Sequence, residues 1–191
     1  METVKALAVV AHPDDCVIFA RPFVDNFPTW HWHIVYLTYT STDPRAREMQ
    51  AYWHKRNITT DFLGFQDDYA DQLAGELKTW QALDAAASIS LAITQFAPDL
   101  ILTHHEDGDY GHIHHKFVHQ TAQIATVNNS IAKVYFASTF NYNVEYFAQE
   151  ALDLAQFPLH ADVIAGFQDR DHGRYILTPE AEKLINENTN T

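Results

Sequence analysis

Five short apolar runs set the tightest limit on what this chain can fold into. They are KALAVVA over 5–11, HWHIVYLTYT ending at Thr40, DFLGF ending at Phe65, DLILTH ending at His104 and AKVYFAST ending at Thr139, each bounded by polar, Gly or Pro residues. Longer helix-like segments separate them. That alternation predicts an α/β fold: a doubly wound, mostly parallel sheet of at least five strands with helices on both faces.

The helix boundaries carry their own signals. Asp43 followed by Pro44 reads as an N-cap and first helical position, opening a helix through REMQAYWHKRN. Thr79 is expected to cap WQALDAAASISLAITQF, which must stop before Pro98, and a further helix is expected to start near His112. Near the C-terminus come ADVIAGFQ and then TPEAEKLINE, with Thr178 and Pro179 as cap and first turn, and the tail NENTNT is expected to fray. No internal repeat, Gly/Ser linker or low-complexity tract divides the 191 residues, so one domain over 1–191 is expected.

Twelve Lys plus Arg against 25 Asp plus Glu give a formal charge of −13, which repels a phosphate backbone and argues against nucleic acid as a partner. The cationic side chains Arg45, Arg47, Lys55 and Arg56 scatter around their helix and make no patch. Cys16 is the single cysteine, and the start METVKALAVVAHPDD has no basic n-region or small-residue cleavage site. No apolar stretch reaches the roughly 20 residues of a membrane span. These features predict a cytoplasmic protein; the oligomeric state stays open, a homo-oligomer included.

The chemistry concentrates at two strand ends. The first strand runs into His12, Pro13, Asp14 and Asp15, and the fourth into His104, His105, Glu106, Asp107, Gly108, Asp109, Tyr110, Gly111, His112, Ile113, His114 and His115. In a doubly wound sheet, sites assemble at the carboxyl ends of strands. Zinc takes imidazole and carboxylate ligands tetrahedrally, three of them from protein when the site is catalytic. His112, His115 and His119 share a helical face, but residues seven apart lie about 10 Å apart along the axis. A ligand set therefore has to combine the loops, and from the residues alone Asp14 and Asp15 remain alternatives. His104, His105 and His119 read more simply as loop or partly buried histidines.

These two clusters resemble the signatures of the PIG-L or LmbE-like zinc de-N-acetylases, AHPDDE after the first strand and a later HPDH, which stand here as AHPDDC and HIHH. DGDYGHIHH is similar to the corresponding loop of the mycothiol-pathway deacetylase, and LTYTSTDPRAREMQAYW to the family segment carrying Arg-x-x-Glu, here Arg45 and Glu48. The resemblance implies that His12, Asp15 and His115 bind Zn2+, with Fe2+ or Co2+ as alternatives. It further implies that Asp14 is the general base, that His112 stabilises the oxyanion or assists proton transfer, that Tyr110 faces the substrate and that Arg45 contacts a substrate hydroxyl or phosphate, with Arg47 its competitor.

The implied activity is hydrolytic removal of an N-acetyl group from an N-acetylglucosamine-type amino sugar conjugate, releasing acetate. An amidase on a non-sugar N-acyl compound and a metal-retaining binding protein are the rivals. A nucleotide-binding domain fits less well, because no Gly-rich turn follows the first strand. Two departures stand out: Cys16 replaces the family glutamate, placing a thiol beside the expected metal, and Ile113 and His114 replace Pro and Asp. Asp107 or Asp109 is the expected substitute for the missing carboxylate partner of His112. The aromatic residues, including Trp30, Trp32, Trp53 and Trp80, are assigned to the core. His160 and the DRDHGRY stretch around His172 carry no assigned role.

Overall fold

The computed structural model describes residues 3–78, 82–137, 144–145, 152–167 and 174–189. Its centre is β1 (Lys5–Val10), paired in parallel on one side with β2 (His31–Thr38) and on the other with β4 (Leu100–Thr103). β3 (Thr59–Phe65) extends the sheet beyond β2, and β5 (Ala132–Phe136) extends it beyond β4, both in parallel. β7 (Arg174–Leu177) then adds to β5 antiparallel, and β6 (Val144–Glu145) to β7, closing a seven-stranded order β3-β2-β1-β4-β5-β7-β6. The five expected strands are the parallel ones, and the two antiparallel additions are short.

Parallel strands covered on both faces need apolar side chains at every position, which explains why KALAVVA shows no polar alternation. Ala6, Ala8 and Val10 join a core on one face with Ile34, Tyr36, Leu102 and Phe136, whereas Leu7, Val9 and Ala11 join a second core with Val35, Leu37 and Ile101. The first face is covered by a five-residue π-helical turn (Cys16–Ala20) running into α1 (Arg21–Asn26), by α2 (Pro44–His54), and by the C-terminal α6 (Ala161–Phe167) and α7 (Pro179–Thr189). The second face is covered by α4 (Ala82–Phe96) and α5 (Ile113–Thr126), and α3 (Tyr69–Ala74) packs on α5.

Several boundaries differ from expectation. β2 stops at Thr38, short of Thr40, because Tyr39 turns left-handed (φ 64°), whereas α4 ends at Phe96 as expected, before Ala97 takes φ 49°. Asp43 and Pro44 open α2 as expected, yet Asp43 does not cap it: its carboxylate turns back to accept from the backbone and hydroxyl of Thr40. NENT does not fray but forms the last turn of α7. The expected cap Thr79, Trp80, Thr139, Gln168 and the stretch around His172 lie outside the described residues. Among the described residues, no helix is long and apolar enough to cross a membrane.

The topology fixes where a site forms. From β1 the chain order runs outward through β2 and β3 on one side and through β4 and β5 on the other, so the connections leaving β1 and β4 diverge. A crevice opens at that switch point, at the carboxyl ends of the strands. Val9 pairs with Thr103 there, so residues 11–15 and 104–112 emerge side by side.

Candidate metal centre

Leaving β1, the backbone turns at once: the Asp15 amide donates to the His12 carbonyl and the His12 amide to Asp15 Oδ2 at 2.7 Å. That tight turn, stiffened by Pro13, places His12 Nδ1 3.1 Å from Asp15 Oδ2. From the other loop, His115 in the first turn of α5 brings Nε2 to 3.2 Å from His12 Nδ1 and 3.3 Å from Asp15 Oδ2. The three atoms thus form a nearly equilateral triangle, and all three residues are buried. Bonds of about 2.0–2.1 Å at tetrahedral angles place ligand atoms about 3.3–3.4 Å apart, so these edges fit a zinc-sized ion with one further position.

The outer partner of His115 supports the same orientation. Its Nδ1 donates to Asp109 Oδ2 at 2.8 Å, leaving Nε2 bare toward the triangle, the carboxylate–histidine arrangement common behind metal-ligating imidazoles. The same oxygen accepts from His104 Nδ1, because His104 Nε2 is occupied by the Ala11 amide at 3.0 Å. Asp109 therefore serves His104 and His115, not His112, and Asp107 spends its carboxylate on the Asp109 amide and His105. Neither is the expected substitute partner for His112. Although burial opposes its charge, the flanking histidines hold the Asp109 carboxyl far below the usual range.

Asp109 reaches inward because Gly108 (φ 76°) and Asp109 (φ 65°) both turn left-handed. A Cβ on Gly108 would sit 2.5 Å from the His112 carbonyl oxygen and 3.0 Å from its amide nitrogen. Gly108→Ala is accordingly expected to lower stability by at least about 1–2 kcal/mol, measured by denaturant unfolding, because both the left-handed backbone and the packed α5 terminus resist it.

Asp14 stands apart from this triangle. It is half-buried beside the triangle, close enough to His12 and Asp15 for their charges to act on its carboxyl. Burial and the neighbouring Asp15 carboxylate raise its pKa, against the pull of His12 and His160. Asp15 moves oppositely: burial would raise it, but His115 and His12 hold it well below the ordinary value. Burial opposes a charge on His12, and the Asp15 carboxylate outweighs it and raises its pKa.

His112 is the N-cap of α5, its Nδ1 accepting the His114 amide at 3.2 Å. Its proton is then on Nε2. Burial, with His115 and His12 beside it, pushes its pKa down to about 2, so this imidazole is a neutral donor and not a cation. Tyr110, 39% exposed, packs edge-on to both His112 and His115 at the rim, and behind it Phe19 stacks on Tyr110 and Phe136. Phe19 also meets His115 edge-on at 6.1 Å, so one side of the centre is an aromatic wall that excludes water.

On the opposite rim Arg45 donates to the Tyr39 hydroxyl at 3.3 Å, which donates to Asp67, itself 3.5 Å from His12 Nε2. Arg47 is exposed, and its charge acts on Asp43. The Arg-x-x-Glu pattern thus points Arg45 to the centre and Glu48 elsewhere: Glu48 accepts from the Leu159 amide and from His160 Nδ1. The Cys16 thiol does not face the triangle. It is fully buried against Tyr36 and Trp53, accepting from the Trp53 indole at 2.9 Å, and burial pushes its pKa far up, so it stays a protonated core group.

Sequence reasoning missed His104, Asp71, Asp67 and His160 as parts of this network, and gave Asp109 to His112 where it serves His104 and His115. His104 is fully buried, and its ring stacks on His115 at 3.8 Å. His119, read as bland, donates to the His104 carbonyl, and Trp30, Trp32 and Trp53 are core residues as expected.

Comparison with known proteins bears on the fold and on the family. The chain is similar to the solved 4-carboxy-2-hydroxymuconate hydratase GalB of Pseudomonas putida (14% identity over 87% of this chain and 79% of that one, TM-score 0.57). It is equally similar to the A40926 pseudoaglycone deacetylase Dbv21 (13% identity, 99% and 86%, TM-score 0.56) and to a deacetylase of teicoplanin biosynthesis (13% identity, 97% and 88%, TM-score 0.55). At such identities these likenesses bear on the fold. No curated protein matches by sequence. The family model described as PIG-L, GlcNAc-PI de-N-acetylase, matches residues 7–126, well over half the chain and both loops of the centre. This chain belongs to the PIG-L family of de-N-acetylases.

Proposed function

We propose that the protein is a metal-dependent hydrolase that removes the N-acetyl group of an N-acetylglucosamine-type amino sugar conjugate, working as one domain over 1–191. The observation that carries this reading is the triangle of His12 Nδ1, Asp15 Oδ2 and His115 Nε2, with edges of 3.1–3.3 Å and a separate carboxylate, Asp14, beside it. The mixed imidazole and carboxylate donors suit zinc, and also Fe2+ or Co2+. Bound there, a divalent ion supplies Lewis acidity, acidifying a water and polarising an amide carbonyl.

The side chains then divide the proton work. Asp14, close to the ligands yet outside the triangle, takes the proton of the attacking water and returns it to the departing nitrogen, which must leave as a protonated amine. His112, neutral with its proton on Nε2, donates a hydrogen bond to the carbonyl oxygen as negative charge grows there. Tyr110 and Arg45, on opposite rims, flank the substrate. The family supports an N-acyl substrate.

Incubation of the zinc-loaded protein with a panel of N-acetylated sugars and non-sugar N-acetyl amines tests this. Acetate and free amine are expected in equal amounts, with sugar conjugates preferred. Preference for a non-sugar amide would transfer the reading to a general amidase. Stoichiometric metal with no acetate from any of them would leave a binding protein.

A further inference from the structure

One of the positions that depart from the family signature, His114, lies in a buried chain of contacts that ends at His12. His114 Nδ1 is 3.0 Å from His12 Nε2, and His114 Nε2 is 3.2 Å from Asp71 Oδ2 on α3. Asp71 and His114 are both fully buried. The other Asp71 oxygen, Oδ1, accepts from the Lys78 amide at 2.8 Å.

We propose that Asp71 and His114 are positioning residues that set the tautomer of His12 and so prepare its Nδ1 to bind the metal. The inference rests on the reading that His12 is a ligand through Nδ1. The Asp71 carboxylate can only accept, so His114 carries its proton on Nε2 and presents a bare Nδ1. A bare Nδ1 accepts from His12 Nε2–H. With a cation among them, His12 is then left with its lone pair on Nδ1, facing Asp15 and His115; without one, the Asp15 carboxylate 3.1 Å away also draws a proton to that nitrogen. The result is a carboxylate–histidine–histidine relay, one residue longer than the direct Asp109–His115 support on the other side of the same triangle. The packing of α3 against α5 holds it together, since the Ile113 amide donates to Gln72 beside Asp71.

Asp67 works in the same direction, but its oxygen is 3.5 Å from His12 Nε2, its side chain is partly in solvent, and its other oxygen already accepts from Tyr39. The three groups His12, Asp67 and His114 also lie close enough to share an ion themselves. In that arrangement the proton between the two rings would be replaced by a second cation, and His114 would be a ligand in place of a relay.

The decisive substitution is the isosteric one. In Asp71→Asn the Lys78 amide pins the side-chain carbonyl oxygen, which leaves the NH2 group facing His114 Nε2. That donor reverses the relay: His114 becomes protonated on Nδ1, His12 must accept on Nε2, and its own proton moves to Nδ1, into the metal position. Asp71→Ala removes the carboxylate without imposing the reverse tautomer, but leaves a cavity and an unpaired Lys78 amide. The expected orders are therefore opposite. Asp71→Asn folds nearly as well as the parent yet binds Zn2+ about 10–100-fold more weakly, the usual range for an outer partner of a metal ligand, while Asp71→Ala is the less stable protein but loses less affinity. Asp67→Asn loses less than Asp71→Asn.

Chelator competition on the zinc-loaded full chain reads the affinities, thermal unfolding reads stability, and 15N NMR of the histidine rings, in metal-free protein at a pH where both rings are neutral, reads the tautomers directly. His114 is expected to carry its proton on Nε2 in the parent and on Nδ1 in Asp71→Asn. Unchanged affinity in Asp71→Asn, or an unchanged His114 tautomer, overturns the relay. So does a parent that binds two equivalents of Zn2+ and drops to one in His114→Ala. Should the parent bind no ion, or keep it in His12→Ala, the ligand reading fails instead, and the ring nitrogen shifts still decide the relay.

Discussion

His115→Ala is expected to abolish stoichiometric metal and turnover together. The imidazole is fully buried, its Nε2 closes two of the three edges of the triangle, and its Nδ1 is anchored on Asp109, so no neighbouring group can swing into its place without breaking a contact. His104 is nearer, its ring 3.8 Å from that of His115, but its Nε2 is held by the Ala11 amide and its Nδ1 by Asp109; His112, 4.7 Å away, has its Nδ1 engaged as the cap of α5. An outer-sphere partner typically contributes 10–100-fold to metal affinity, and loss of a direct ligand is expected to exceed that. Metal content after gel filtration, with circular dichroism to establish that the variant is folded, checks the result. A folded His115→Ala protein that keeps one tightly held equivalent would remove His115 from the ligand set.

The parallel sheet was legible because its strands are buried on both faces: a run such as KALAVV has no other stable home than the middle of a covered sheet. Convergence of the two loops was legible for the same reason, since β1 and β4 are neighbours at the switch point of any sheet with this order. Support of the ligands was not. Asp71 sits on a six-residue helix more than forty positions from His114, and only the tertiary packing of α3 on α5 brings them together. Asp109 and His104 are near each other in sequence, but which imidazole the carboxylate serves depends on two successive left-handed residues that redirect the loop.

Cys16 shows the limit of reading position from sequence. Its place after the paired aspartates suggested a thiol beside the metal, yet the π-helical turn that begins there points it to the opposite side of the loop, among Tyr36 and Trp53. The residue that replaces a carboxylate in the signature is thus a packing choice in this chain. At His114 the replacement is polar for polar, and the new side chain finds a buried carboxylate of its own.

Asp14→Asn is expected to keep one equivalent of metal while turnover falls by about 10²–10⁴-fold, the usual contribution of a positioned acid–base group. The substitution is isosteric, and its backbone carbonyl, which accepts the Val17 and Ile18 amides at the start of the π-helical turn, is untouched, so the fold of the loop is retained. What changes is basicity. Burial and the Asp15 charge raise the Asp14 carboxyl above an ordinary aspartate, which makes it a better proton acceptor, and an amide at that point cannot accept a proton at all. Asp15→Asn should give the opposite pattern, because Oδ2 of Asp15 lies 3.1 Å from His12 Nδ1 and 3.3 Å from His115 Nε2 and its charge is what a cation among those nitrogens would balance. Metal analysis and acetate release on the same two preparations separate the roles. Loss of metal in Asp14→Asn with retention in Asp15→Asn would exchange the assignments of the two adjacent carboxylates, and full turnover in Asp14→Asn would remove Asp14 from the proton path.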